Sequence, residues 1–218
     1  MQFSHKYQDG DHARSYYLKH QRNWQRRLNN WREQCLARQA LKLAGKPRTI
    51  LDLPCGTGRF WSVLAEDPAR KLYAADFSSE MMRMAFKVLS PTISRRFYCF
   101  QTAAQAIGMP ANSVDCLFSM RLMHHIVLAT DRFKILREFH RVTRNTVCLS
   151  LWLNNSLQAR RRMRLEQKRP TRPYTNRTCL PASMVEKEYQ QVGFKIRKRL
   201  AFLSGFSMWY FYVLEKVN

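Results

Sequence analysis

Short apolar runs alternate with helix-like segments from Thr49 to Trp152, and few folds accept that order. Thr49 to Leu53, Lys71 to Ala75, Phe97 to Phe100, Val114 to Phe118 and Thr146 to Trp152 each read as a strand. Between them, Arg59 to Ala65 and about Asp131 to Arg141 read as helices, and Ser78 can cap another with Glu80 in its first turn. This order makes neighbouring strands parallel, because the chain crosses back over the sheet through each helix. The alternation predicts an α/β fold whose parallel strands are buried on both faces.

Two flanks frame this unit. From about Ala13 to Ala44 the pattern is helical, with Trp24, Leu28, Trp31 and Cys35 on one apolar stripe, stopped by Gly45 and Pro47. The stripe suits a helix packed on the body. Tyr16, Tyr17 and Trp24, interleaved with Arg14, Lys19, Arg22 and Arg26, suit a lid instead. After the fifth strand, residues 154–180 turn polar and basic, with Pro170, Pro173 and Asn176, and read as a partly helical insertion. A helix from Pro181 to Val192 and two closing strands, Phe194 to Phe202 and Met208 to Leu214, follow.

Charge is concentrated in those flanks. Against a total of 38 Lys and Arg and 15 Asp and Glu, net +23, residues 160–218 carry 14 basic and four acidic side chains. Arg160, Arg161, Arg162 and Arg164 are the densest run and the candidates for contacts to anionic groups. A content of 45% apolar and 12% aromatic residues excludes a disordered basic tail. No run reaches the roughly 18 apolar residues of a membrane span, and the N-terminus has no apolar signal core, so a soluble cytoplasmic protein is expected. The six cysteines lack zinc-site spacing, so we expect reduced structural thiols and no metal.

The most informative stretch is Asp52-Leu53-Pro54-Cys55-Gly56-Thr57-Gly58-Arg59, where two of seven glycines follow a strand and open a helix. Such a turn lets backbone approach a nucleotide-like group. Trp61 occupies the third glycine position of a dinucleotide motif, and no Gly-Lys-Ser/Thr completes a P-loop. Asp76, ending the next strand, can accept from both hydroxyls of a ribose.

Asp52-x-Pro54-Cys55-Gly56-x-Gly58 resembles motif I of the class I S-adenosylmethionine-dependent methyltransferases, with Pro in place of the usual first Gly. Ala75-Asp76-Phe77-Ser78, the stretch from Ala104 to Asp115, Arg121-Leu122-Met123-His124-His125-Ile126 and Glu138-Phe139-His140-Arg141-Val142 extend the resemblance over about residues 48–152. The style is that of the type 11 and ubiquinone/menaquinone-biosynthesis enzymes. It implies a Rossmann-like fold, a mostly parallel seven-stranded sheet with helices on both faces. Residues 1–46 would be a basic helical lid or cap, and 47–218 the methyltransferase domain, with a basic insertion at about 154–180.

The resemblance assigns Asp52 and the turn Pro54, Cys55, Gly56 and Gly58 to the methionine half of S-adenosyl-L-methionine. Asp76 would hold the ribose, Phe77 and Met81 would line the adenine, Ala104 and Gln105 would meet its edge, and Met120 would sit near the methyl. Ala103 stands where relatives often carry an acid. His125 and His124 are the base candidates for a hydroxyl or acidic-carbon acceptor, ahead of His5, His12, His20 and His140. The expected acceptor is a small or lipid-linked, anionic molecule, with an anionic membrane surface as a partner and the inner membrane face as a site of work. Nucleic acid is the main alternative acceptor, and a non-catalytic basic binding module the alternative class.

Overall fold

The structure, a computed structural model, describes residues 24–167 and 178–217. Its seven strands are β1 (Thr49–Asp52), β2 (Lys71–Asp76), β3 (Phe97–Gln101), β4 (Val114–Ser119), β5 (Thr143–Trp152), β6 (Phe194–Ala201) and β7 (Trp209–Lys216). They form one sheet in the order β3-β2-β1-β4-β5-β7-β6. The first five are parallel, and β7 enters antiparallel between β5 and β6. The strand order reverses between β1 and β4. Open α/β sheets bind ligands outside the carboxyl ends of the strands at such a point.

Alternate strand residues feed two cores. Ile50, Cys116, Phe118 and Cys148 face the layer that holds α1 (Trp24–Leu43), α2 (Trp61–Leu64), α3 (Ser79–Val88) and α4 (Pro91–Ser94). Leu51, Leu117, Val147 and Leu149 face α5 (Ala129–Val142) and α7 (Ala182–Gln191). Helices therefore cover both faces, as the alternation predicts. A buried ion pair joins α5 to α7: Arg132 Nε donates to Glu188 Oε2 at 2.9 Å, and Arg132 Nη1 also donates to the Val127 carbonyl at 2.7 Å.

α1 ends as expected in a Schellman motif. Gly45 takes φ +85°, its N–H donates to Lys42, and the Lys46 N–H donates to Leu41. Its packing corrects the expected stripe. Leu36, Ala37, Ala40 and Leu41 are buried together with Glu33, whereas Trp24, Leu28 and Trp31 face solvent. The small alanines let this helix approach the sheet closely, which large indoles on the stripe could not.

One strand boundary and one additional helix also differ. β5 begins at Thr143, three residues before the apolar run, because Thr143 Oγ1 donates to the Asp115 carbonyl and extends the pairing. α4, not expected, starts with Pro91 at its first turn, where proline is preorganised. Within the insertion, α6 (Leu157–Gln167) is helical. Pro170, Pro173 and Asn176 lie outside the described residues, as do Tyr16, Tyr17, Arg14, Lys19 and Arg22 of the proposed lid.

Candidate functional site

β1, β2 and β4 deliver Asp52, Asp76 and Ser119 to one edge of the sheet. Because β7 runs antiparallel, its first residue, Trp209, pairs with Trp152 at the end of β5 and joins the same edge. Asp52, Asp76, Met120, Arg121, Trp152 and Trp209 thus line one edge of the sheet, with the strand-order reversal between Asp52 and Met120 and the two tryptophans beyond it.

The glycine turn is held by Asp76. Gly56 donates its N–H to Asp76 Oδ2 at 2.8 Å, and Ser78 donates to Oδ1 at 2.9 Å. The Phe77 N–H also stabilises this carboxylate, which as an acceptor of up to about four hydrogen bonds keeps capacity for a ligand hydroxyl. Gly56 and Gly58 take φ of +55° and +71°, a region that side chains rarely enter. The Cys55 N–H donates to Ala75, which ties the turn to β2. Gly58 also answers the question raised by Trp61: a Cβ there would lie 3.0 Å from the Trp61 ring and 2.6 Å from Leu89. Trp61 is accommodated because Gly58 has no side chain, and it stacks on Phe97 at 4.1 Å.

Asp52 is buried, and its Oδ2 accepts no hydrogen bond from the described residues. Burial pushes its carboxyl well above the usual carboxylate range, Asp76 adds to the rise, and the Trp61 indole opposes it. Burial also raises Asp76, against the backbone N–H groups that stabilise its anion. An acid buried with spare acceptor capacity suits a cationic ligand group, such as the amino group of an amino acid. Phe77 is partly exposed just past Asp76, and Met81 is buried with its Cε 3.6 Å from where a Gly56 Cβ would stand. Ala104 and Gln105 are half-buried beyond β3, and Met120 is buried past β4. Gln101, which the sequence did not single out, donates from its amide to the Phe77 carbonyl at 2.7 Å and fixes the chain that follows Asp76.

The two base candidates differ in setting. His124 is buried, with its ring stacked on Trp152 at 4.4 Å and 5.3 Å from Trp209. His125 is half-buried, 4.1 Å from His124. His140 sits at the opposite sheet edge, edge-on to Phe194 at 5.1 Å. His5, His12 and His20 lie outside the described residues.

Three charged residues at this edge were not legible. Arg121 follows Met120 with φ +65°, its N–H donates to the buried Ser150 Oγ at 2.9 Å, and its guanidinium lies over Trp209 at 4.7 Å. Its only sequence signal is a cation directly after Met120, the residue expected beside the methyl. Arg59 and Glu33 clamp α1 to the glycine turn: Arg59 Nε donates to Asn30 Oδ1 at 2.8 Å and Nη2 lies 3.0 Å from Glu33 Oε2. Burial raises the Glu33 carboxyl, with Arg121 opposing. Glu33 is the sole acid of α1, which is the signal available for it. Of the basic run, Arg162 turns inward over Trp152 at 4.7 Å, while Arg160, Arg161 and Arg164 are exposed.

Among the described residues no group of three or more His, Cys, Asp or Glu side chains comes together to hold a metal. No described helix is long and apolar enough to cross a membrane.

Residues 50–146 match a family described as a methyltransferase domain. No curated sequence matches the chain. Among solved structures, magnesium protoporphyrin IX methyltransferase from Synechocystis PCC 6803, with bound SAH, superposes with a TM-score of 0.69 at 15% identity, covering 89% of this chain and 88% of that one. A SAM-dependent methyltransferase from Methanosarcina mazei gives 0.63 at 19% identity, over 78% and 92% of the two chains. Human N-acetylserotonin methyltransferase in complex with SAM gives 0.71 at 14% identity, over 99% of this chain and 59% of that one.

Proposed function

We propose that this chain, whose residues 50–146 match a methyltransferase-domain family, is a class I methyltransferase and methylates a small-molecule or lipid-linked acceptor that carries an anionic group. It is an S-adenosylmethionine-dependent enzyme. The bound cofactor supplies a methyl group already activated on a sulfonium sulfur, so the chain has to bind, orient and exclude water. Asp52 and the turn from Pro54 to Gly58 hold the methionine half. Asp76 takes the ribose hydroxyls, Phe77 and Met81 pack on the adenine, and Ala104 and Gln105 meet its edge. Met120 lies beside the transferred methyl.

The acceptor assignment rests on one observation: Arg121 and Arg162 each lie over a tryptophan at the strand ends that hold Met120. Stacking on an indole fixes the plane of each guanidinium. Although Arg162 Nη2 also pairs with Glu166 Oε1 at 2.6 Å, the two cations make this edge attractive to a carboxylate or phosphate. His125, the more exposed of the pair, removes the acceptor proton. His124, packed under Trp152, positions it. Residues 1–46 act as a cap on the 47–218 domain, and the enzyme works in the cytoplasm, at the inner membrane face.

Incubation of the protein with methyl-labelled S-adenosylmethionine and a cell extract, followed by fractionation, tests this. Label is expected in the lipid or small-molecule fraction. Label confined to RNA or protein would overturn the acceptor assignment, and no label in any fraction would overturn the enzyme assignment.

A further inference from the structure

We propose that the chain docks on an anionic phospholipid surface through one continuous face, built by α1, the β6–β7 connection and α6, which brings the acceptor edge of the sheet to the bilayer. The proposal rests on the assignment of a lipid-linked acceptor and names the surface from which that acceptor is reached.

Three observations carry it. First, Trp24, Leu28 and Trp31 form one stripe along α1, and each is more than half exposed. A water-facing helix does not ordinarily align two indoles and a leucine, because their transfer from water is favourable. Second, Leu203 and Phe206 project from the β6–β7 connection, and Leu157 from the start of α6, all more than half exposed. Third, these elements are tied to one another. Arg32 of α1 donates to the Phe202 carbonyl at 3.1 Å, and the Leu157 and Gln158 N–H groups donate to Gly205 and Phe206 at 3.2 and 3.0 Å. The apolar side chains therefore belong to one patch.

The charge beside the patch selects the occupant. Arg160, Arg161 and Arg164 follow Leu157 at helical spacing on the outer face of α6, all exposed, and Ala159 is the one buried residue of that helix. Aromatic and aliphatic prongs rimmed by arginines suit the boundary between headgroups and acyl chains, where indoles settle and long cationic side chains reach the phosphates. A nucleic acid would use the arginines and indoles but gives Leu28, Leu157 and Leu203 no apolar phase to enter. The patch also borders the site: the β6–β7 connection runs directly into Trp209, and Leu153, next to Trp152, donates its N–H to Met208.

Vesicle sedimentation tests the proposal without reading methyl transfer. The full chain is expected to sediment with phosphatidylcholine vesicles containing about a quarter phosphatidylglycerol, and to bind about tenfold less to phosphatidylcholine alone. The W31S/F206S variant alters only exposed side chains. It should keep its far-ultraviolet circular dichroism and lose about tenfold in vesicle affinity. The R160Q/R161Q/R164Q variant should flatten the salt dependence of binding. Failure to sediment with the mixed vesicles, or binding unchanged in W31S/F206S, would overturn the proposal. So would retention of polyuridylate or concentration-dependent dimerisation through the patch in place of vesicle binding. Methyl transfer that persists without vesicle binding would leave the enzyme assignment standing and sink this one.

Discussion

Asp52 sets stability against function. Its carboxyl is raised by burial and by Asp76, so the folded chain holds that proton more tightly than the unfolded chain does. Stability from this group is full below the ordinary aspartate range, about pH 4, and is lost as pH rises through the raised folded value. Asp52→Asn should therefore raise Tm near pH 8, with the gain shrinking toward pH 4, while S-adenosylmethionine affinity falls about tenfold or more. Thermal melts across pH together with calorimetric titration check both halves, and a gain that grows on acidification would contradict the sign. Arg121 is the other residue in tension. Its φ of +65° costs a non-glycine residue about 1 kcal/mol. Arg121→Gly relieves that cost and removes the guanidinium over Trp209, so thermal stability should stay within about 1 kcal/mol of the parent. Label transfer to the acceptor fraction should fall about tenfold or more.

At the scale of elements, close packing and one buried pair decide what can change. Gly58→Ala would push a Cβ against Leu89, Trp61 and Ala85 at positive φ. A loss of about 2 kcal/mol in denaturant unfolding is expected, and S-adenosylmethionine affinity should fall with it. Arg132→Met leaves Glu188 buried without its cation between α5 and α7, and should cost about 3–5 kcal/mol. The paired R132M/E188L variant should recover much of that loss. The strands and their parallel order were legible because each run is apolar along its length, a pattern set by local sequence. The glycine turn and Asp76 were legible because their spacing follows directly from strand, turn and strand. The buried face of α1 was not. Helical periodicity marks an apolar stripe without saying whether core or solvent meets it, and here Ala37 and Ala40 win the core by their size. Arg121, Arg59 and Glu33 were hidden for a related reason. Their roles depend on side chains 26 or more residues away, at Ser150 Oγ, Asn30 and Glu33 or Arg59.

Across the whole molecule, acidic side chains are committed to internal partners: Glu33 to Arg59, Glu188 to Arg132, Asp115 to Arg144 and Glu138 to Arg141. Much of the +23 excess is thereby left to the surface, where like charges repel. Moderate salt should screen that repulsion and raise Tm, and a Tm that falls on adding salt would contradict it. The same excess suits the proposed docking on an anionic surface, while the candidate site lies at the carboxyl edge of β1, β2 and β4. Asp52, Asp76 and the glycine turn are proposed to bind S-adenosylmethionine for transfer to an acceptor. Calorimetric titration of S-adenosylmethionine into the parent chain and into Asp76→Ala decides this. Saturable one-to-one binding by the parent, weakened about tenfold or more in the variant (about 1.4 kcal/mol), is the predicted result. Equal affinity in the two proteins, or no binding by the parent, would contradict it.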